Sequence, residues 1–384
     1  MYRLLTIGHS YVVDANRCLA HEMQAQGRGR WEVTVGAPER LAGELGDLRL
    51  RVDPSEPCEV AALGVHLGRS PHLRFYDRRL RRLLARSWDV VHVWQEPYVL
   101  AAAQIARAAS PSARIVPATF QNIRKRYPAP VRRLERRVME RAAGWIAFGR
   151  TAHEALAVEP PFSTRPCRVI PPGVDLRRFH PDQSSRAAVR ARAGWHDDRP
   201  VVGFLGRFVP EKGLRVMLQA LALLRRPWRA MFVGGGPLER ELREFSTAHP
   251  GRVRVITDAG HGAVPAHLNA MDVLCAPSQT TARWREQFGR MLIEAMACGV
   301  PVVASRSGEV PHVVGDGGML VSESDTAAWT VALESLLADP ALRRELAAGG
   351  LRRAREHYAW PVIARAHLDF FEELLDGHGG SCAG

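Results

Sequence analysis

The stretch from Thr281 to Ser305, TARWREQFGRMLIEAMACGVPVVAS, constrains this chain most. It opens with polar residues and an aromatic, then passes through Glu286, Gln287, Phe288 and Gly289. An apolar run follows that holds a single carboxylate, Glu294. Cys298-Gly299 marks a helix end, Pro301 cannot continue a helix, and Val302-Val303-Ala304 has the look of a short buried strand. The pattern predicts loop, helix, tight turn and strand. A helix beginning near Phe288 leaves Glu286 on the loop at its N-terminal mouth. Glu294 comes about two turns later at roughly 3.6 residues per turn, so both carboxylates fall on one side. A helix N-terminus between them offers free N–H groups and a partial positive charge to an anion. Carboxylates bind sugar hydroxyls and helix N-termini bind phosphate, so the implied ligand carries both. The plainer alternative is a core helix with one buried Glu, which is costly unless that carboxylate is paired or bound.

EQFGRMLIEAMACGVPVVAS resembles the E-x7-E signature of retaining nucleotide-sugar glycosyltransferases of family 4, which have the GT-B fold. The resemblance implies an α/β chain with two Rossmann-like parallel-sheet domains facing a cleft. It also implies that Glu286 binds donor-sugar hydroxyls and Glu294 the ribose. Phe288, Gly289 and Arg290 fall inside the signature as donor-binding positions.

A chain of 384 residues with 46% hydrophobic content suits two globular domains. Six scattered cysteines include no C-x-x-C pair, against a zinc site or disulfide framework and in keeping with a reducing cytosol. Met1 leads directly into Leu4–Ile7 without a secretory leader pattern, and no apolar run approaches the roughly 20 residues of a membrane span. The net charge of +13 is unevenly placed. Residues 1–178 hold 29 Lys and Arg against 17 Asp and Glu, and the remainder holds 24 against 23. Lysine occurs only as Lys125 and Lys212.

Along the chain, apolar strand patterns alternate with helical ones, which predicts parallel sheets wrapped by helices. Expected strands include Tyr2–Ile7, Trp31–Val35, Asp89–Trp94, Ile115–Thr119, Val201–Leu205, Ala230–Val233 and Val273–Ala276. Expected helices include Asp14–Gln26, with Asp14 as N-cap, and two basic amphipathic helices, His72–Arg86 and Val131–Ala143. The boundaries expected are an acceptor-side domain over 1–178 and a donor domain over 179–358. A returning helix over 359–376, opened by Trp360 as in the resembled family, and a tail over 377–384 would complete the chain.

Gly206-Arg207-Phe208-Val209-Pro210-Glu211-Lys212-Gly213 follows a strand and opens a helix, which puts it at the carboxyl ends of the strands, where ligands bind. Arg207 offers a bidentate fork and Lys212 a point charge, a pair suited to a diphosphate; an ordinary solvated turn is the alternative. FLGRFVPEKG is similar to the family's G-R-x4-K-G segment, whose Arg and Lys hold the donor diphosphate. Gly234-Gly235-Gly236-Pro237 resembles the G-x-G-P turn beside the nucleotide, which adds Gly235 to the donor side, as the G-R-x4-K-G segment adds Gly206. No D-x-D follows a strand, and no His, Asp or Glu cluster has ligand spacing. The expectation is chemistry without metal or cofactor, a nucleotide-diphosphate sugar serving as co-substrate. In the resembled family the leaving diphosphate takes the acceptor's proton in a front-face attack, so no protein nucleophile is needed. Arg207, Lys212 and Glu286 are the catalytic candidates.

In the first half, His9 and Ser10 end the first strand. His92, Gln95 and Glu96 surround the end of another, and Asn122 and Lys125 sit in QNIRKRYP. All are acceptor-side candidates, though His92 is equally placed to be a buried strand histidine. Glu96-Pro97-Tyr98 resembles a variant found in some members of the family.

Three functions stay open at this point. The first is sugar transfer to a glycan or to a lipid-linked, cell-envelope acceptor. The second is epimerisation or phosphorolysis on the same fold. The third is nucleic-acid binding, which the charge permits but no motif supports. The basic helices add an expectation of a cytoplasmic protein lying against an anionic membrane surface.

Overall fold

A computed structural model describes residues 1–43, 46–66 and 72–377. The described residues form two compact units, one within 1–172 together with 360–377 and one of residues 173–359. The expected tail over 377–384 lies outside the described residues beyond Gly377.

Among the described residues, the first unit is built on a seven-stranded sheet whose order is Cys167–Val169, Trp145–Ala147, Arg114–Thr119, Val90–Val93, Tyr2–Ile7, Trp31–Pro38 and Glu59–Leu63. Every pairing in it is parallel. Covered on both faces, these strands are apolar runs rather than alternating ones, and Leu4, Leu5, Val90 and Val91 are fully buried. One face packs on Trp31, Phe370 and Phe371 and the other on Leu80, Trp88 and Ile105. The helix Trp360–Leu375 belongs to the first of these cores. The strand order reverses between Tyr2–Ile7 and Val90–Val93, and such a switch point opens a crevice at the strands' carboxyl ends.

The second unit repeats the plan with a six-stranded parallel sheet. Its order is Val253–Ile256, Arg229–Gly235, Val201–Arg207, Val273–Ala276, Val302–Ser305 and Gly318–Val321. Its switch point falls between Val201–Arg207 and Val273–Ala276, and its core gathers Phe204, Phe208, Trp228 and Trp329.

Several expectations need correction. The helix expected over His72–Arg86 is only Arg79–Leu84, because Phe75–Tyr76 pairs antiparallel with Val65–His66. Its apolar side, Leu80, Leu83 and Leu84, is buried in the unit's own core. The second basic helix, Ala129–Arg141, buries Val138 and Met139 in the same way. Asp14 caps no α-helix. It opens a 3-10 turn, Asp14–Arg17, and its carboxylate accepts from Ala15 N at 2.7 Å; the α-helix starts at Cys18. Unforeseen helices include Leu100–Ala108 and Gln183–Arg192, the latter capped by Asp182 accepting from Ser184 N and Ser185 N. No described helix is long and apolar enough to cross a membrane.

Candidate active site

In the second unit the strand Val201–Arg207 runs to Arg207, which pairs in register with Gly235. Glycine is required one residue earlier, at Gly234, which has φ +146° and where a Cβ would lie 1.9 Å from Gly206 O. Arg207 itself is exposed, and its guanidinium has no ion-pair partner among the described residues. The chain then makes a short turn, Pro210–Lys212, and leaves through Gly213 at φ +69°. A Cβ on Gly213 would lie 1.8 Å from Pro277 O, so the turn is pressed against the end of the neighbouring strand.

That closeness brings Lys212 to Glu286. Lys212 Nζ donates to Glu286 Oε2 at 2.5 Å, and both side chains are largely buried. Ser278 Oγ donates to the same oxygen at 2.7 Å, and Ser305 Oγ holds Ser278 through its carbonyl at 2.6 Å. The Trp284 ring lies 5.3 Å from Lys212 Nζ, within cation–π range. The Glu286 backbone is fixed by Glu309 N, which donates to Glu286 O at 3.0 Å. Sequence reasoning missed Ser278, Ser305, Trp284 and Glu309. Ser278 alone had a signal, as the second residue beyond a buried strand next to the switch point.

The helix expected from Phe288 begins at Arg290, with Gly289 at φ +80° as its N-cap, and runs to Ala297. The Phe288 ring is buried, 5.9 Å edge-on from Tyr358, so its backbone is what it can offer a ligand. Glu294 lies on this helix, partly exposed, and Arg290 reaches to 3.9 Å of its carboxylate. Burial raises the Glu294 pKa above the usual range, opposed by Arg290 and Arg178. The unit thus holds, at the strand ends of one sheet, an unpaired guanidinium, a buried ammonium–carboxylate pair, a second carboxylate and a glycine-capped helix N-terminus.

In the first unit His9 lies in a short turn after the first strand. Burial, with Arg74, lowers its pKa to about 4, so the ring is neutral at neutral pH. His9 Nε2, Ser10 Oγ, both amide atoms of Gln95 and the hydroxyl of Tyr76 are buried without a hydrogen-bond partner. His9 and Tyr76 have ring centroids 5.1 Å apart. Buried polar atoms without partners are uncommon, and a hydroxyl-bearing ligand could satisfy them. Glu96 accepts from Thr119 Oγ1 at 2.5 Å and Phe120 N at 2.9 Å, its pKa raised by burial. Asn122 is buried and Lys125 exposed. His92 Nε2 is likewise buried without a partner, but His92 is held in the unit's core. It is fully buried, with Nδ1 3.0 Å from Thr6 Oγ1 and its ring against His367 and Phe371. The core environment lowers its pKa well below the ordinary value.

Folding also gathers His21, Glu56 and Cys58, whose ligand-type atoms lie within 4.8 Å of one another. Glu56 is already engaged, with Arg17 on one oxygen and His21 Nε2 on the other at 2.5 Å.

Residues 185–353 match the family described as Glycosyl transferases group 1, and residues 15–178 match Glycosyltransferase Family 4. A D-inositol 3-phosphate glycosyltransferase from Corynebacterium jeikeium is 31% identical over 312 residues, covering 76% of this chain and 71% of that one. The chain belongs to glycosyltransferase family 4. A second member is the GDP-mannose-dependent alpha-(1-6)-phosphatidylinositol monomannoside mannosyltransferase of Mycolicibacterium smegmatis. It is 40% identical over 217 residues, 54% of this chain and 56% of that protein. The match thus spans about half the length of that relative. Among solved structures, HepE from Anabaena in complex with UDP superposes with a TM-score of 0.74 at 19% identity, covering 97% of this chain and all of that one. A glycosyltransferase from Rickettsia africae gives 0.75 at 14% identity, covering 97% and 98%. At these identities the likeness is one of fold, the GT-B architecture of family 4.

Proposed function

We propose that this family 4 chain transfers a hexose from a nucleotide-diphosphate sugar to an acceptor hydroxyl, with retention and without a metal. The observation that carries the reading is the Lys212–Glu286 pair, at 2.5 Å, on the loops that follow two strands flanking the switch point. Arg207 and Lys212 stabilise the charge that develops on the leaving diphosphate, aided by the N-terminus of Arg290–Ala297. Glu286 holds donor-sugar hydroxyls and Glu294 the ribose. The departing diphosphate takes the acceptor's proton. Gly206, Gly235 and Gly289 let the backbone approach the nucleotide. The unpartnered polar atoms of His9, Ser10 and Gln95 support an acceptor side in the first unit, to which the reading also assigns Glu96, Asn122 and Lys125.

A relative named for GDP-mannose and a phosphatidylinositol mannoside supports a lipid-linked or glycan acceptor, handled on the cytoplasmic side. Contact with an anionic membrane would be electrostatic, because the apolar sides of both basic helices are used in the core. Nucleic acid is not a partner in this reading.

The test offers GDP-mannose, UDP-glucose and related donors together with lipid-linked and glycan acceptors. NMR then identifies the product. An acceptor-linked sugar with the donor's anomeric configuration supports the reading. An epimerised nucleotide sugar without transfer would replace it with an epimerase on the same fold.

A further inference from the structure

The first unit holds a cluster of cations of which the transfer reading uses only Lys125. A cavity of about 830 Å³ lies between segment 121–136 and segment 155–162. Lys125, Arg126, Arg132 and Arg136 line it, and none of the four has an ion-pair partner among the described residues. A fifth cation, Arg124, is paired with Glu159. Arg132 and Arg136 are four positions apart on the helix Ala129–Arg141 and so share a face. Like charges at that spacing destabilise a helix, and their placement around one space favours whatever anion enters it. Guanidinium groups bind phosphate through paired N–H donors. The volume exceeds that of a bare phosphate and lies in the range of small-molecule sites, so there is room for the group the phosphate is attached to.

We infer that this cavity binds a phosphate ester through Lys125, Arg126, Arg132 and Arg136. Glu135 also lines the cavity, with one carboxyl oxygen buried and unpartnered. Protonated, that carboxyl donates a hydrogen bond to a phosphate oxygen; ionised, it opposes the ligand. Burial, with Glu96 nearby, raises its pKa to about 7, which leaves much of it protonated at neutral pH. Tyr127 lines the same space, its hydroxyl donating to Gln121 Oε1 at 2.8 Å. The phosphate could belong to a free sugar or polyol phosphate or to a lipid headgroup. That it belongs to the acceptor rests on the reading proposed above; that the cavity takes it does not.

The experiment titrates the full chain with inorganic phosphate and glycerol phosphate by calorimetry. Sedimentation is measured in parallel with phosphatidylcholine vesicles with and without phosphatidylinositol. Binding of the soluble esters assigns a free phosphate source, and binding of the phosphatidylinositol vesicles alone assigns a headgroup. Arg132→Glu with Arg136→Glu is expected to weaken the observed binding at least tenfold. Arg133→Glu with Arg137→Glu, the same charge change on the same helix but outside the cavity, is expected to weaken it less than twofold. Glu135→Gln should keep or tighten binding, and melting curves establish that each variant is folded. No binding of any probe, or equal losses in the two double variants, overturns the cavity assignment. Phosphate binding without sugar transfer to any acceptor overturns the transferase reading and leaves this one standing.

Discussion

Lys212 Nζ and Glu286 Oε2 meet at 2.5 Å although they are 74 positions apart in sequence. Two side chains assigned to different parts of one donor are thus partners of each other. The pair is largely buried, and Ser278 completes the carboxylate's hydrogen bonding. Removing one member of a buried pair strands the other. Chemical denaturation of Lys212→Met, Glu286→Gln and the double variant should therefore show coupling, the double losing about 1–3 kcal/mol less than the singles added together. Strict additivity would mean that the pair contributes nothing to the fold.

The two carboxylates should divide their work. Glu286→Gln is expected to reduce transfer steeply while calorimetric binding of free nucleoside diphosphate stays near wild type, because its partner is the sugar. Glu294→Gln should weaken the nucleoside diphosphate itself. Equal loss of nucleotide binding in both variants would contradict the division, and melting curves separate a site effect from a helix effect.

The positions of the carboxylates were legible because the helix pattern after Gly289 is strongly apolar and Gly and Pro mark its end. Arg207 and Lys212 were legible from a strand–loop–helix pattern that fixes which end of the sheet they occupy. The pairing of Lys212 with Glu286 was not, since it arises from the approach of Gly213 to Pro277, a contact between segments far apart in sequence. The His72–Arg86 reading failed because tertiary pairing outweighed local helical periodicity: Phe75 and Tyr76 find partners in His66 and Val65. Leu100–Ala108 escaped notice because its run of alanines carries no cap, whereas Asp182 with Ser184 and Ser185 was an available N-cap signal for the helix Gln183–Arg192. His92 shows the limit of position alone. A histidine near a strand's end belongs to the site or to the core according to which face it takes, and here it faces His367.

Acid should act through that core. Burial lowers the His367 pKa to about 4 and holds His92 well below its ordinary value. Both side chains bind protons more readily in the unfolded chain. Their contribution to stability is therefore complete above pH 6.5 and is lost as pH falls toward 4. Glu135 has the opposite sign. Its pKa is raised to about 7, so its contribution is present below the usual carboxylate range and lost as pH rises through 7. Denaturant melts from pH 8 to pH 4.5 should show stability falling below pH 6.5, and His367→Phe should flatten that fall. An unchanged slope in His367→Phe would assign the acid sensitivity to other groups.

The most direct measurement is nucleoside diphosphate release from the productive donor and acceptor by wild type and by Arg207→Ala. Arg207 is exposed and has no ion-pair partner among the described residues, so its removal should leave the fold intact. Turnover is expected to drop by about 10²–10³-fold, the scale for loss of one preorganised charge stabiliser. Wild-type turnover in Arg207→Ala would contradict the diphosphate cradle and, with it, the donor site described for the second unit.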